Sequence, residues 1–306
     1  MKAARYHTHG SADVLNVEEV AIPSIADHEV LVKVHACGVN PGDWQIRSGL
    51  AGDAFPLPYV PGWDVSGVVE QVGLAVTTFR VGDEVFGMTA NSGGCAEYAV
   101  VPVNQIARKP PSIDHIQAAA VPMSAFTAWH ALFEQGNLEQ DQTVLINGAA
   151  GGVGHFAVQL AKSGGATVIG VASSGKESFV RSLGADEYID YSLNSFGLAE
   201  NKVDLVLDTI GGENGHRLIE VLRHGGSLVP ITWGEYASDK LERKAIELHE
   251  VQLPRMTSEH LNELTRLIEN GNLRASIEEV FAIEDIRKAH ERSESRRTQG
   301  KLVIRI

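Results

Sequence analysis

Residues 143–174 read T-V-L-I-N-G-A-A-G-G-V-G-H-F-A-V-Q-L-A-K-S-G-G-A-T-V-I-G-V-A-S-S, and no other stretch restricts the fold as much. A β-type run (Val144, Leu145, Ile146) enters a glycine cluster. An apolar-periodic segment (Val153, Phe156, Ala157, Leu160, Ala161) follows, then a second β-type run over 167–171. This order predicts a strand, a tight turn, a helix and a strand. Gly148, Gly151 and Gly154 recur at three-residue intervals, where a missing side chain permits the turn, the approach of backbone to a pyrophosphate, and close helix packing. With Gly152 and Val153 they open a helix whose first N–H groups face a phosphate. The spacing departs from G-x-G-x-x-G, since Ala149 stands two before Gly151. Alone, the cluster fits a plain strand-to-helix turn equally well. The flanking periods favour a dinucleotide.

At 306 residues, the chain is long enough for about two domains, each with its own core. A formal charge of −13 repels phosphate backbones, and Arg292, Arg296 and Arg297 are too few to form a basic patch, so no nucleic-acid partner is expected. The opening M-K-A-A-R-Y-H-T-H-G has no sustained apolar core, and no apolar run approaches the ~18 residues of a membrane span. A cytoplasmic location with no membrane partner is therefore expected. Cys37 and Cys95 lie far apart in sequence with no C-x-x-C pair, which predicts buried thiols rather than a disulfide framework or cysteine-rich metal site.

Before the glycine turn, Gly, Pro and Asp break the chain every few residues. Runs at 17–21, 30–35, 65–72, 84–88 and 95–102 read as short strands of a β-barrel-like domain. Three denser stretches sit at strand ends: G-V-N-P-G-D-W-Q-I-R-S-G (38–49), P-Y-V-P-G-W-D-V-S-G-V-V (58–69) and V-G-D-E-V-F-G (81–87). With A-A-A-V-P-M-S-A-F-T-A-W (118–129) and the later G-A-A-G-G-V-G, they resemble the medium-chain dehydrogenase/reductase superfamily, in its zinc-independent quinone oxidoreductase and zeta-crystallin-like branch. The resemblance spans nearly the whole chain. It implies an α/β protein, a Rossmann doubly wound parallel sheet plus a discontinuous GroES-like β-barrel catalytic domain, with boundaries at 1–121 and 271–306 for the latter and 122–270 for the NADPH-binding domain. It also implies a homodimer.

In zinc alcohol dehydrogenases of this superfamily, a Cys in G-x-C-x-x-D and a His in G-H-E hold the metal. Those places here carry Asn40 and Trp63, neither a thiolate nor an imidazole, so no metal is expected. Without zinc to polarise an oxygen, the acceptor should already be electrophilic. By resemblance Asn40 lies beside nicotinamide and substrate, with Asp43 and Arg47 in the same loop, where they also read as an ion pair shaping it. Asn40 also suits a turn for backbone reasons alone. Tyr59 and Trp63 read as pocket lining or as core. Ser112 is the expected cap of a helix over 112–120 that Pro122 interrupts. Thr127, in the helical run over 123–133, points toward nicotinamide by resemblance or bonds its own i−4 carbonyl.

After Gly154, strands at 167–171, 187–189, 203–209 and 227–231 alternate with helices, which predicts a parallel sheet with its ligand at the strands' carboxyl ends near Ser173, Thr209 and Thr232. An acid closing the second strand would bond the adenosine ribose. The chain instead has Ser173, Ser174 and Lys176, a set suited to a 2′-phosphate. The resemblance adds Tyr191 and Arg296, with Arg297 as the alternative, and places backbone of Ile210 and Ile231–Thr232 at the nicotinamide. A capped helix over 258–270 should end the cofactor domain, and strand, helix and strand then return to the first domain. The expected activity is NADPH-dependent hydride transfer to a small electrophile, a quinone or the C=C of an α,β-unsaturated carbonyl. An enoyl-thioester reductase and a non-catalytic NADPH-binding protein, crystallin-like or redox-sensing, stand beside it.

Overall fold

The computed structural model describes residues 1–193, 201–213, 215–252 and 255–306. It separates into two compact units, Met1–Phe126 with Met256–Ile306 and Thr127–Arg255.

In the first unit, β1 (Lys2–Arg5) and β2 (Asn16–Glu19) pair antiparallel. The organising strand is β3 (Glu29–Val39). Its valines at 30, 32 and 34 bury one face against Val65, Val69, Val85 and Val101, each fully buried side chain contributing about 1.5–3 kcal/mol. Helix α1 (Pro41–Arg47) follows directly. Pro41 at its first position needs no N–H partner, and Asp43 accepts the N–H of the extended residue Asn40 at 2.8 Å, so the segment expected as a loop is a short helix. Then come β4 (Asp64–Val72), β5 (Glu84–Met88), β6 (Tyr98–Pro102) and β7 (Ile106–Arg108). Irregularities in register at Leu31/Val32 and Val34/Ala36 let β3 pair with β4 along its length while its first half also takes β6. Helix α2 (His115–Ala119) is capped by Asp114, not Ser112: Asp114 accepts from Gln117 N at 2.8 Å, and Gln117 returns a bond to Asp114 N. Pro122 opens α3 (Pro122–Trp129) rather than breaking a helix, and a π-helical turn, His130–Gln135, ends it.

The second unit runs β8 (Thr143–Asn147), α4 (Gly154–Ser163), β9 (Thr167–Ala172), α5 (Glu177–Ser182), β10 (Glu187–Asp190), β11 (Val203–Asp208), α6 (Gly215–Val221), β12 (Leu222–Pro230), α7 (Ser238–Lys244) and β13 (Glu247–Leu248). The six strands are parallel in the order β10-β9-β8-β11-β12-β13. That is the doubly wound 3-2-1-4-5-6 arrangement, whose direction reverses between β8 and β11. Val144, Leu145 and Ile146 are fully buried, as a central strand covered on both faces requires.

The chain then returns through α8 (Ser258–Glu269), β14 (Ile277–Ala282), α9 (Ile286–Glu294) and β15 (Lys301–Arg305). Thr257, one residue before the expected Ser258, caps α8. Its buried Leu261, Leu264, Leu267 and Ile268 form the inner stripe of a helix that packs on β7, so α8 belongs with the first unit instead of closing the second. Strand β15 lies between β14, to which it is parallel, and β3, to which it is antiparallel. The barrel-like domain is thus a mixed sheet of path β14-β15-β3-β4-β5-β7, with β6 also on β3.

Candidate active site

In the second unit the glycine turn leaves β8 at the reversal point. Gly148 adopts φ +83°, a left-handed conformation that favours glycine, and an added Cβ would lie 2.3 Å from Thr209 Oγ1. A Cβ on Gly154 would sit 2.1 Å from the Gly148 carbonyl oxygen, so only glycine lets α4 start this close to the turn. The N–H groups of Gly148 and Ala149 bond Val171 O at 3.0 and 2.9 Å, and that of Gly151 bonds Gly148 O at 2.9 Å. Gly151 therefore shapes the turn, while Gly152, Val153 and Gly154 lead into the first turn of α4, where helix geometry leaves N–H groups for an anion. The cradle fits a dinucleotide pyrophosphate.

Beside it, β11 ends on Asp208, fully buried. Its Oδ1 accepts from Asn147 Nδ2 at 2.8 Å, Ile210 N at 3.0 Å and Gly211 N at 3.1 Å, and its Oδ2 from Tyr236 Oη at 2.6 Å. Burial and Asp208 together push the Tyr236 phenol well up, keeping it a donor. Thr209 Oγ1 donates to Asn147 O at 2.7 Å, and Gly212 N to Trp233 O at 3.0 Å. The loops after β8, β11 and β12 are thereby tied together, and Ile231 and Thr232 stay half-buried. At the end of β9, Ser173 O accepts from Tyr188 Oη at 2.7 Å and Ser174 Oγ donates to Asp190. Lys176 precedes α5, and Tyr191 is 51% exposed.

The first unit holds a buried polar network around Asn40. Lys301, with its side chain 2% exposed, donates to Asn40 Oδ1 at 2.6 Å, Ser124 Oγ at 2.8 Å and Val39 O at 3.2 Å, and its Nζ lies 3.8 Å from Asp64 Oδ2. Asn40 Nδ2 donates to Asp64 Oδ2 at 2.9 Å, and Met123 N to Asp64 Oδ1 at 2.9 Å. Charge on each side fixes the amide: a flipped Asn40 would set NH2 against an ammonium and oxygen against a carboxylate. Burial raises the Asp64 pKa and lowers that of Lys301, and each opposes the other's shift. Asp43 accepts from Asn40 N and, at 3.0 Å, from Gly62 N. Burial outweighs both bonds and pushes its pKa to about 7.

The expected Asp43–Arg47 ion pair is not formed. Arg47, fully buried, donates through Nη2 to Glu294 on α9 at 2.8 Å, because its position at the end of α1 faces that helix. His290, also on α9, is held at a pKa of about 3 by burial and by Arg47. Tyr59 is core, 5.5 Å from Tyr6 between ring centroids, and Trp63 packs edge-on against Phe55. Arg296 belongs to the first unit, its guanidinium 5.6 Å from the Trp44 ring centroid. Thr127 is half-buried in α3. The cysteines, far apart in sequence, meet with Sγ atoms 3.4 Å apart, both buried and free.

Residues 26–111 match the family described as "Alcohol dehydrogenase GroES-like domain", and residues 183–304 that described as "Zinc-binding dehydrogenase". The chain is 35% identical to "Quinone oxidoreductase" of Sus scrofa, over 99% of this chain and 97% of that protein. It is 35% identical to "2-methylene-furan-3-one reductase" of Solanum lycopersicum, over 99% of this chain and 79% of that one. The crystal structure of Escherichia coli quinone oxidoreductase complexed with NADPH superposes with a TM-score of 0.89 at 27% identity, covering all of both chains. The chain belongs to the medium-chain dehydrogenase/reductase superfamily, in its quinone oxidoreductase branch. It is an oxidoreductase using a nicotinamide cofactor.

One of the matching superfamily descriptions names zinc. In this chain the Asn40 amide is engaged on both sides by Lys301 and Asp64, and Trp63 offers no ligand atom. Among the described residues no group of three or more His, Cys, Asp or Glu is placed to hold a metal, and no helix is long and apolar enough to cross a membrane. Lys301, Asp64, Asp190 and Asp208 belong to these sites without being among the residues that the sequence singles out. A usable signal existed for two of them: Asp208 closes the apolar run V-D-L-V-L-D, and Lys301 opens K-L-V-I, charges set in strands that must be buried.

Proposed function

We propose that this chain is an NADPH-dependent reductase that delivers hydride, independently of zinc, to a quinone or to the activated C=C of an α,β-unsaturated carbonyl. The observation that carries the reading is the glycine turn at the reversal point of the parallel sheet, where a Cβ at Gly148 or Gly154 would collide with neighbouring atoms. When bound, NADPH supplies the hydride. Gly152, Val153 and Gly154 receive its pyrophosphate, with Ser173, Lys176, Tyr191 and Arg296 at the 2′-phosphate and the backbone of Ile210, Ile231 and Thr232 at the nicotinamide. Asn40 and Thr127 address the reacting end, and Asp43 and Arg47 hold the helix that Asn40 precedes.

The donor set at Asn40 and Trp63 provides no Lewis acid, so the acceptor must be electrophilic on its own, which a quinone or enone is. The protein's contribution is placement, converting an encounter into a near-attack pair. Hydride arriving at an enone β-carbon leaves an enolate, which N–H donors stabilise before solvent protonates the α-carbon. The printed names of the Sus scrofa and Solanum lycopersicum relatives support this acceptor class.

The test is NADPH oxidation against a panel of quinones, enones and enoyl thioesters. Turnover of the first two is expected. Tight NADPH binding with no acceptor turned over would refute the enzymatic reading, and one zinc per chain by metal analysis would refute zinc independence. A homodimer belongs to the same proposal and is read by light scattering.

A further inference from the structure

At the end of β9 the sequence shows two hydroxyls and a cation, and no acid: Ser173, Ser174 and Lys176. Folding changes that set. Strand β10 lies beside β9 with Asp190 opposite Ala172, which brings a carboxylate to the same corner. Ser174 Oγ donates to Asp190 Oδ2 at 2.5 Å, while Asp190 Oδ1 accepts from Ser192 N at 2.9 Å and Ser192 Oγ at 2.6 Å. The turn carrying these groups is set separately, by Tyr188 Oη and Lys176 N on Ser173 O at 2.7 and 3.2 Å and by Gly175 at φ +82°. Ser174 therefore directs its single hydroxyl hydrogen at Asp190. A phosphate, which only accepts at these oxygens, receives that hydrogen only if the bond to Asp190 breaks.

We propose that Asp190 is a specificity-determining residue at the ribose end of the dinucleotide site: by engaging Ser174 and setting a negative charge against a 2′-phosphate, it restrains the preference for NADPH over NADH. The inference rests on the dinucleotide reading of the glycine turn. An unphosphorylated ribose presents hydroxyl donors, which a carboxylate accepts. A 2′-phosphate brings nearly two negative charges to the corner where Asp190 meets Ser174. At separations of about 5 Å across a solvated corner with a water-like dielectric of about 80, such like-charge repulsion changes affinity by about 5- to 20-fold, and salt screens it.

The experiment measures dissociation constants of NADPH and NADH on the full chain by fluorescence or calorimetry, without turnover. Asp190→Asn is expected to raise the NADPH:NADH affinity ratio at least about fivefold, with Asp190→Ala acting in the same direction and the gain shrinking at high salt. Ser174→Ala should leave the ratio nearly unchanged in the wild-type background and lower it in the Asp190→Asn background, where the hydroxyl has been released. An unchanged or falling ratio in both Asp190 variants overturns the inference, as does an equal effect of Ser174→Ala in the two backgrounds. Wild-type protein that binds neither dinucleotide overturns the reading of the turn itself, before any variant is made.

Discussion

Replacing Asp208 separates two roles that one carboxylate fills. Three donors converge on its Oδ1 and one on its Oδ2, and the residue is fully buried. Asp208→Ala removes every acceptor and leaves the Asn147 amide and Tyr236 phenol without this partner. Each orphaned buried group costs ~1–3 kcal/mol, so a total of ~3–5 kcal/mol is expected after partial solvation of the loop N–H groups. Asp208→Asn places an amide oxygen where Oδ1 was, keeping the bonds from Asn147, Ile210 and Gly211. Its NH2 then faces Tyr236 Oη, which accepts as readily as it donates, and the cost falls to ~1 kcal/mol. With ~2–4 °C per kcal/mol, the alanine variant should melt ~10 °C below wild type and the asparagine variant only a few degrees below. Thermal unfolding followed by circular dichroism reads both, and NADPH affinity should fall with the alanine variant because the 209–211 turn loosens. Equal losses for the two variants, or an alanine variant that melts like wild type, would refute the assignment of the carboxylate as the clamp of that turn.

Lys301→Met leaves the Asp64 carboxylate buried without its cation and should destabilise by ~3–5 kcal/mol, whereas Lys301→Met with Asp64→Asn should recover much of this. Chemical denaturation of the three proteins measures the coupling. Asp43 and His290 should give pH dependences of opposite sign. Asp43, at about 7 in the folded state against ~4 unfolded, keeps a proton that the unfolded chain releases, so its contribution falls as pH rises from ~4 to ~7 and Asp43→Asn removes that slope. His290, at about 3 folded against ~6.5 unfolded, stays neutral where the unfolded chain charges. Stability is therefore lost as pH falls from ~6.5 to ~3, and His290→Gln removes that loss, as melting temperatures across pH will show. Cys37 and Cys95, buried and with the Cys37 thiol pushed up by its hydrogen bond to Cys95 and by burial, should resist a thiol reagent in the native protein and both react on unfolding. Rapid native labelling would contradict the packing.

Where local chemistry decides, the sequence was readable: 84–88 is a strand to the residue, and the strand-turn-helix-strand order around Gly148 is the one observed. The caps lie two residues after Ser112 and one before Ser258, because Asp114 with Gln117 and Thr257 with His260 make better reciprocal pairs than the nearby serines. What stayed hidden depends on contacts remote in sequence. Arg47 pairs with Glu294, 247 positions on, rather than with Asp43 four residues away. Cys37 and Cys95 become neighbours only when β3 and the segment before β6 meet. Asp190 reaches Ser174 because parallel strands β9 and β10 align their carboxyl ends, a consequence of register that no linear motif encodes.

The position of β15 between β14 and β3 also imposes an order on biosynthesis. The lysine that meets Asn40 and the Val39 carbonyl lies 262 positions after Val39. At ~5–20 residues per second, a ribosome reaches Lys301 about 13–50 s after it has made β3. Throughout that interval Asp64 and Asn40 lack their cation and one edge of β3 lacks its neighbour, and within the same interval the whole of the parallel-sheet unit is made. The inserted unit is therefore free to fold during translation while the sheet around it waits unfinished. Until Lys301 arrives, that waiting edge is an unpaired strand of the kind on which chaperones and aggregation compete.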